Sequence, residues 1–330
     1  MNMLRVHFCD VPGGETALPR LTEVLDSNIT LTIGDDAPPD PADYQVLVAG
    51  RPARAFFEAS PALHTLVIPW AGLAGETAKI LVEFPQLAVY NLHHNAAIVA
   101  EMTVALLLAA ARKLLPIDRV FRTGDWSPRF TSSVMMLDGR TALILGYGNI
   151  GRRTAAILQA LGMNVLATRR SSQEVHNDGP AEVHPPAALD DLLPRTDALV
   201  ITLPLTPETR GLIDARRLAL MPPGGVLVNV GRGNVVEEQA LYDALVSGHL
   251  QGAGLDVWYN YPTTKAEEAH TLPADAPFHE LDNVVMSPHR AANFTSQDTT
   301  RLNIAHLART LNALARGETP PNRVDVTAGY

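Results

Sequence analysis

One cysteine in 330 residues, Cys9, leaves no partner for an internal disulfide. Neither a disulfide scaffold nor an oxidising compartment is called for. Cys9 sits in a short apolar run, LRVHFCD, and reads as a small buried side chain. Cations are also scarce: 26 Lys and Arg stand against 35 Asp and Glu, a net charge of −9. That balance excludes the clustered positive charge by which proteins hold nucleic acid or an anionic membrane surface. Long hydrophobic runs are missing as well. Arg5 and Asp10 interrupt the start, MNMLRVHFCDVPGG, which lacks the apolar centre of a signal peptide. The most apolar stretch, IVAEMTVALLLAAARKLL, carries Glu101 and meets Arg112 and Lys113 too soon to cross a bilayer. The expectation is a soluble, cytoplasmic protein without nucleic-acid or membrane partners. No Cys, His or Asp elsewhere joins the adjacent His93 and His94 at ligand spacing, so no metal is expected.

What is present is alternation. Short β-branched runs occur at LRVHFCD, ITLTIG, QVLVAG, TLVIP and LAVYNL. A second series follows at TALILGYG, MNVLATRR, DALVITLPL, GGVLVNVGRG, GAGLDVWY and NVVMSPH. Helix-length segments separate most of them. The pattern predicts an α/β fold with two doubly wound parallel sheets, each covered by helices. Between the series, Ile98 to Leu115 reads as one long helix with apolar residues on more than one face, suited to packing between domains or subunits. Ser296 to Ala315 reads as a helix too short for a domain, returning to cover the first sheet. The chain shows no internal repeat and no low-complexity tract.

The stretch TALILGYGNIGR places Gly146, Gly148 and Gly151 between a strand and a helix, the context a dinucleotide fingerprint requires. Gly146 would permit the tight turn, Gly148 the approach of a pyrophosphate and Gly151 the packing of helix on strand. Tyr147, Asn149 and Ile150 belong to the same turn, and the helix start offers its free N–H groups to phosphate. An NAD site asks for an acid at the end of the next strand. Here that strand ends in Thr168, Arg169 and Arg170. Two arginines suit forked contact with a 2′-phosphate, which selects NADP as the cofactor and leaves NAD possible.

With these residues in view, the sequence resembles the D-isomer-specific 2-hydroxyacid dehydrogenases over nearly its whole length. The pieces are NAAIVAEMTVALLLAAARK from Asn95, the glycine turn, TLPLTPETRGLID from Thr202, VLVNVGRGNVVEEQAL from Val226, GAGLDVW from Gly252, and NVVMSPH ending at His289. The resemblance implies a flavodoxin-like substrate domain, residues 1–94 with 291–330, and an inserted Rossmann domain, residues 95–290, with catalysis in the cleft between them. It implies that Arg232 clamps the substrate carboxylate and polarises the 2-oxo group, and that His289 is the general acid or base. Backbone around Trp70, Ala71 and Gly72 would bind the carboxylate, and Asn95 would face it from the hinge. Leu203, Pro204, Thr209, Val230 and Gly231 would line the cofactor, and Asp256 would hold its carboxamide. The family also implies a homodimer through the cofactor domain, with the helix from Val99 at the contact.

One position departs from the family. The usual Glu partner of the histidine stands just before the proline after LDV, and here LDVWYNYPTT puts Tyr261 there. The segment from Asp256 to His289 is also roughly nine residues longer than usual, a length that marks a functional loop. That loop holds Glu267 and Glu268, either of which offers a substitute carboxylate. Without a paired anion, and beside the Arg232 cation, His289 is expected to titrate at or below about 6.5. The leading expectation is an NADPH-dependent reductase of a small 2-oxo acid such as glyoxylate or hydroxypyruvate. A second enzyme reading is a relative of the formate or phosphonate dehydrogenases, and the DVW start and the missing Glu resemble the formate enzymes. A third reading, from a different class, is a dinucleotide-sensing binding protein like the family's corepressors.

Overall fold

The protein is described from a computed structural model, covering residues 3–9, 11, 14, 17–131, 133–292 and 296–327. Asp10, used in reading the amino terminus, lies outside them. The chain forms two compact units, Met1–Asn95 with Phe294–Tyr330, and Ala96–Asn293. The expected seams, after residues 94 and 290, are displaced by one and three residues.

In the first unit five strands, β1 Leu4–Phe8, β2 Ile29–Ile33, β3 Val46–Val48, β4 Thr65–Ile68 and β5 Ala88–Asn91, pair in parallel in the order β2-β1-β3-β4-β5. This is the flavodoxin-like order. Helices α1 Leu18–Val24, α2 Arg54–Ala59 and α3 Gly75–Leu81 cover it. The period of two along a strand explains the unbroken apolar runs. Val46 and Val48 face one cluster with Leu4, Val6 and Leu21, while Leu47 and Ala49 face another with Phe56, Phe57 and Leu66.

The second unit holds α4 Ala96–Ala111, α5 Leu114–Phe121 and α6 Pro128–Thr131, then β6 Thr141–Leu145, α7 Asn149–Ala160 and β7 Asn164–Thr168. It continues with β8 His176–Asp178, β9 Ala181–His184, α8 Leu189–Leu192, β10 Ala198–Ile201, α9 Ala215–Leu220 and β11 Gly225–Asn229. The last elements are α10 Glu238–Val246, β12 Leu250–Leu255 and β13 Val284–Met286. The strand order is β13-β12-β11-β10-β6-β7-β9-β8. Seven strands run parallel in the Rossmann pattern and reverse direction of travel between β6 and β10, while β8 is an antiparallel edge. The final helix, α11 Ser296–Ala315, returns to the first unit, where Ile304, Leu307, Ala308 and Leu311 join the β1 and β3 cluster.

One sequence expectation needs correction. The helix expected over Ile98–Leu115 breaks at Lys113, which takes a left-handed φ of 50°. Pro116 explains the break, because it has no N–H to give Arg112 and its ring would collide with that carbonyl. One face of α4 packs inside its own unit, while Glu101, Ala105 and Leu108 stay exposed on the other. Val99, Val104, Leu106, Leu107, Ala110 and Ala111 are buried within their own unit, against Ala142, Ile144, Val226 and Val228. The hairpin of β8 and β9 was not expected either, since HND carries no apolar alternation and lies exposed at the sheet edge.

Candidate active site

Parallel pairing puts the carboxyl ends of all main strands of a sheet on one edge, and the predicted site residues fall there. In the second unit Gly146–Gly151 follow β6, Thr168–Arg170 end β7, Leu203, Pro204 and Thr209 follow β10, Val230–Arg232 follow β11, Asp256 follows β12 and His289 follows β13. In the first unit Trp70, Ala71 and Gly72 follow β4, and Asn95 lies beyond β5.

Each glycine of the turn has a geometric reason. Gly146 has φ +99°, and the carbonyl of Thr168 receives the N–H groups of Gly146 and Tyr147 at 3.2 and 3.0 Å. A Cβ on Gly151 would stand 2.3 Å from the Gly146 carbonyl oxygen, so only glycine lets α7 come this close. A Cβ on Gly148 would meet nothing within 4 Å, which leaves open space beside the start of α7. No side chain caps that first turn. Open space against uncapped N–H groups is what a dinucleotide pyrophosphate needs, so these residues fit the cofactor.

The neighbourhood of the β7 end holds a surprise. Arg169 and Arg170 are exposed, and the sequence shows no acid beside them. The β8–β9 hairpin nevertheless brings Asp178 near. Its carboxylate is forked by Arg152 at 2.7 and 2.5 Å, and its carbonyl accepts from the Tyr147 hydroxyl at 2.6 Å. The Arg152 pairing, with a smaller contribution from Arg169, holds the Asp178 carboxyl below its ordinary range. Asp178 is thus an anion already committed to Arg152. Sequence reasoning missed it because a hairpin of unsignalled register delivers it.

Arg232 extends from a loop pinned by Asn229. The Asn229 amide accepts from Gly231 N and donates to the Arg232 carbonyl, both at 3.0 Å. A Cβ on Gly231 would lie 2.5 Å from Leu203 O, and one on Gly233 would lie 2.2 Å from Trp258 O. The arginine therefore stands between two glycines that must pack tightly, which its bare sequence context does not reveal. Asn229 is 2% exposed and is a positioning group the sequence reading passed over. The Thr209 hydroxyl is spent inside its own loop, donating to Pro204 O at 2.7 Å. Val230 is buried and gives its N–H to Ile201 O at 3.1 Å.

His289 takes a left-handed φ of 52°. Asp256, 1% exposed, shapes its loop: one carboxylate oxygen accepts from the Ser287 hydroxyl at 2.5 Å and from Arg290 N at 2.9 Å, and the other from Ala291 N at 3.0 Å. Asp256 is thus first a brace for residues 287–291, with the second oxygen less heavily used. The Tyr261 ring meets the His289 ring edge-on at a centroid distance of 5.5 Å. The phenol oxygen accepts from Trp258 N at 3.1 Å, and its own hydrogen finds no acceptor among the described residues. Desolvation raises the Tyr261 pKa, so the phenol stays neutral. The His289 pKa is lowered, first by desolvation and then by Arg232, with Asp256 opposing.

The loop carboxylates do not reach this pair. Glu267 turns back on its own turn, accepting from Thr263 N and Oγ1 at 2.8 and 2.9 Å, and Glu268 is exposed. The loop is tied elsewhere, by Tyr259 N and Asn260 N to Pro273 O and by Ala276 N to the Glu238 carboxylate.

In the first unit the Asn95 side-chain oxygen is buried with no hydrogen-bond partner among the described residues. Burial, with His306 and His93 nearby, pushes His94 down to about 4, so it is neutral at pH 7. Among the described residues no group of three His, Cys, Asp or Glu is placed to hold a metal ion, and no helix is long and apolar enough to cross a membrane.

Residues 104–291 match the NAD binding domain of the D-isomer specific 2-hydroxyacid dehydrogenases. A glyoxylate reductase of Thermococcus onnurineus is 38% identical over 235 residues, which span 68% of this chain and 65% of that enzyme's length. Among solved structures, a D-isomer specific 2-hydroxyacid dehydrogenase from Xanthobacter autotrophicus Py2, in complex with NADPH and MES, superposes over 100% of both chains with a TM-score of 0.79 and 27% identity. An NADPH-dependent glyoxylate/hydroxypyruvate reductase from Sinorhizobium meliloti, in complex with NADP and malonate, covers 99% of this chain and 98% of its own, with a TM-score of 0.69 and 26% identity.

Proposed function

Since the chain belongs to the D-isomer specific 2-hydroxyacid dehydrogenase family, we propose that it is an NADPH-dependent reductase of a small 2-oxo acid, with glyoxylate and hydroxypyruvate as the leading substrates. The observation that carries this reading is the grouping of Arg232, His289 and Tyr261 at the carboxyl edge of the sheet that bears the glycine turn. The unit with the glycine turn is the cofactor domain in this reading, and the unit with Trp70–Gly72 and Asn95 is the substrate domain. When bound, the reduced nicotinamide supplies a hydride to the 2-oxo carbon. Arg232, permanently cationic and forked, holds the carboxylate and draws charge onto the oxo oxygen. His289 Nε2 or Nδ1 gives its proton to that oxygen as the carbon is reduced. Tyr261 packs the imidazole in place without an ionic pair. The test is a panel of 2-oxo acids, formate and phosphite with NADP(H) and NAD(H). Turnover of a 2-oxo acid is expected. Turnover of formate or phosphite alone, or tight cofactor binding with no turnover, would reject the reading for the dehydrogenase or the sensor.

Cofactor preference follows from Arg169 and Arg170, two exposed cations at the end of β7, while the nearby acid, Asp178, is paired with Arg152. Loss of one charge-assisted contact costs roughly 1.5 to 3 kcal/mol, so Arg169→Ala is expected to raise the KM for NADPH roughly 10- to 100-fold and to leave NADH nearly unchanged. A wild type that prefers NADH would remove the arginines from this role.

The homodimer is part of the proposal, with its contact on the exposed face of α4 and on α5 and the segment after it. No residue of α5 is buried, and Phe121, Trp126 and Phe130 are 49%, 63% and 86% exposed. Apolar surface of that extent marks an interaction face, and a second copy of the chain is its occupant. Sedimentation is expected to give twice the 35.5 kDa chain mass for the wild type and the single mass for Phe130→Asp. A monomeric wild type at micromolar concentration overturns it.

A further inference from the structure

The loop Trp70–Gly72 is held from two sides by the body of its own unit. On the β5 side both carbonyls are engaged: Trp70 O accepts from Leu92 N at 3.4 Å, and Ala71 O accepts from Nδ2 of Asn91 at 2.7 Å. On the β3 side the Trp70 indole lies so close to Gly50 that a Cβ there would stand 1.8 Å from the ring. Thr77 of α3 braces Gly50 in turn, donating its hydroxyl to Gly50 O at 3.0 Å. Asn91 and Thr77 are 4% and 1% exposed, so the supports come from inside the fold.

Peptide planarity turns these bonds into an aiming device. In a trans peptide the N–H points opposite to the carbonyl of the same unit. With the carbonyls of Trp70 and Ala71 drawn toward β5, the N–H groups of Ala71 and Gly72 point away from it. Neither amide has an acceptor among the described residues, although the loop is half-buried. Successive N–H groups directed to one side make a concavity for an anion, and a carboxylate fits it through charge-assisted hydrogen bonds.

We infer that Asn91 is a positioning residue, which aims the Ala71 and Gly72 amides at the carboxylate of the 2-oxo acid, with the Gly50–Trp70 packing as its counterpart on the other side. The role rests on the reductase reading for the identity of the anion, and on the first unit alone for its geometry. Asn91 touches neither substrate nor cofactor in this assignment. A donor is essential at this position: an aspartate of the same shape presents an anion to the Ala71 carbonyl, repels it, and releases the peptide.

The experiment compares wild type, Asn91→Asp and Gly50→Ala, each loaded with NADP. Oxalate binding is followed by calorimetry, together with steady-state reduction of glyoxylate and thermal melting. Both variants are expected to weaken oxalate and to raise the KM for glyoxylate on the order of tenfold or more, with kcat and the KM for NADPH changed far less. A role in folding alone would lower the melting temperature without this split between KM and kcat. Oxalate affinity equal to wild type in a folded Asn91→Asp overturns the inference, as does a wild type that binds no oxalate. If Asn91→Asp does not fold, Gly50→Ala decides by the same readings. Oxalate binding that collapses in either folded variant, in a protein that reduces no 2-oxo acid, supports the aimed loop and overturns the reductase reading instead.

Discussion

An Arg232→Lys variant is expected to lose about 2.7 to 4 kcal/mol of transition-state stabilisation, a fall in kcat/KM on the order of a hundred- to a thousandfold, the range typical of removing one oriented donor from an oxyanion. The charge survives this substitution but the fork does not. Arg232 leaves a loop whose path is set by Asn229 on both sides and by the close approach of Gly231 to Leu203 and of Gly233 to Trp258. An ammonium on a flexible stem from that rigid loop cannot reach carboxylate and oxo oxygen together. Cofactor affinity should stay within about twofold, because the glycine turn and the β7 end are untouched. Near-normal kcat/KM in Arg232→Lys would take the residue out of the site.

The second large effect concerns pH. Among the described residues His289 has no ionic partner, and desolvation and the Arg232 cation both lower its pKa from the ordinary 6.5. The sign follows: reduction uses the protonated imidazole, so kcat/KM is full below the His289 pKa and declines as pH rises through it. That decline should therefore begin below neutrality in the wild type. In Tyr261→Glu a carboxylate replaces a neutral phenol whose ring now stands edge-on to the imidazole at 5.5 Å. An opposite charge this near stabilises imidazolium and should move the decline upward by roughly one to three units. The alternative anions are accounted for, since Glu267 is held by Thr263. Coincident profiles of kcat/KM against pH for the two proteins would dismiss Tyr261 as the neighbour that sets the His289 titration.

The dinucleotide turn was readable from residues alone because its chemistry is local. A strand, three glycines and a helix lie within a dozen residues, and their spacing states the backbone geometry that Gly146 and Gly151 adopt. The two parallel sheets were readable for a related reason: strands buried on both faces must be apolar at every position. The same runs could not show where a helix ends when tertiary packing and a proline compete, and Ile98–Leu115 accordingly broke at Lys113.

Sequence determined which side chains this protein brings to its proposed site: a permanent cation at Arg232, a titratable ring at His289, a phenol where the family resemblance implied a Glu, and two arginines where an NAD site asks for an acid. Their partners were decided only by tertiary structure. Asp178 reaches Arg152 through an edge hairpin, Asp256 braces the His289 loop, Glu267 folds away, and Asn91 captures the Ala71 carbonyl across twenty residues. Residue type sets what a group can donate, accept or titrate. Which group it meets depends on contacts between distant segments, whose directions no local spacing encodes.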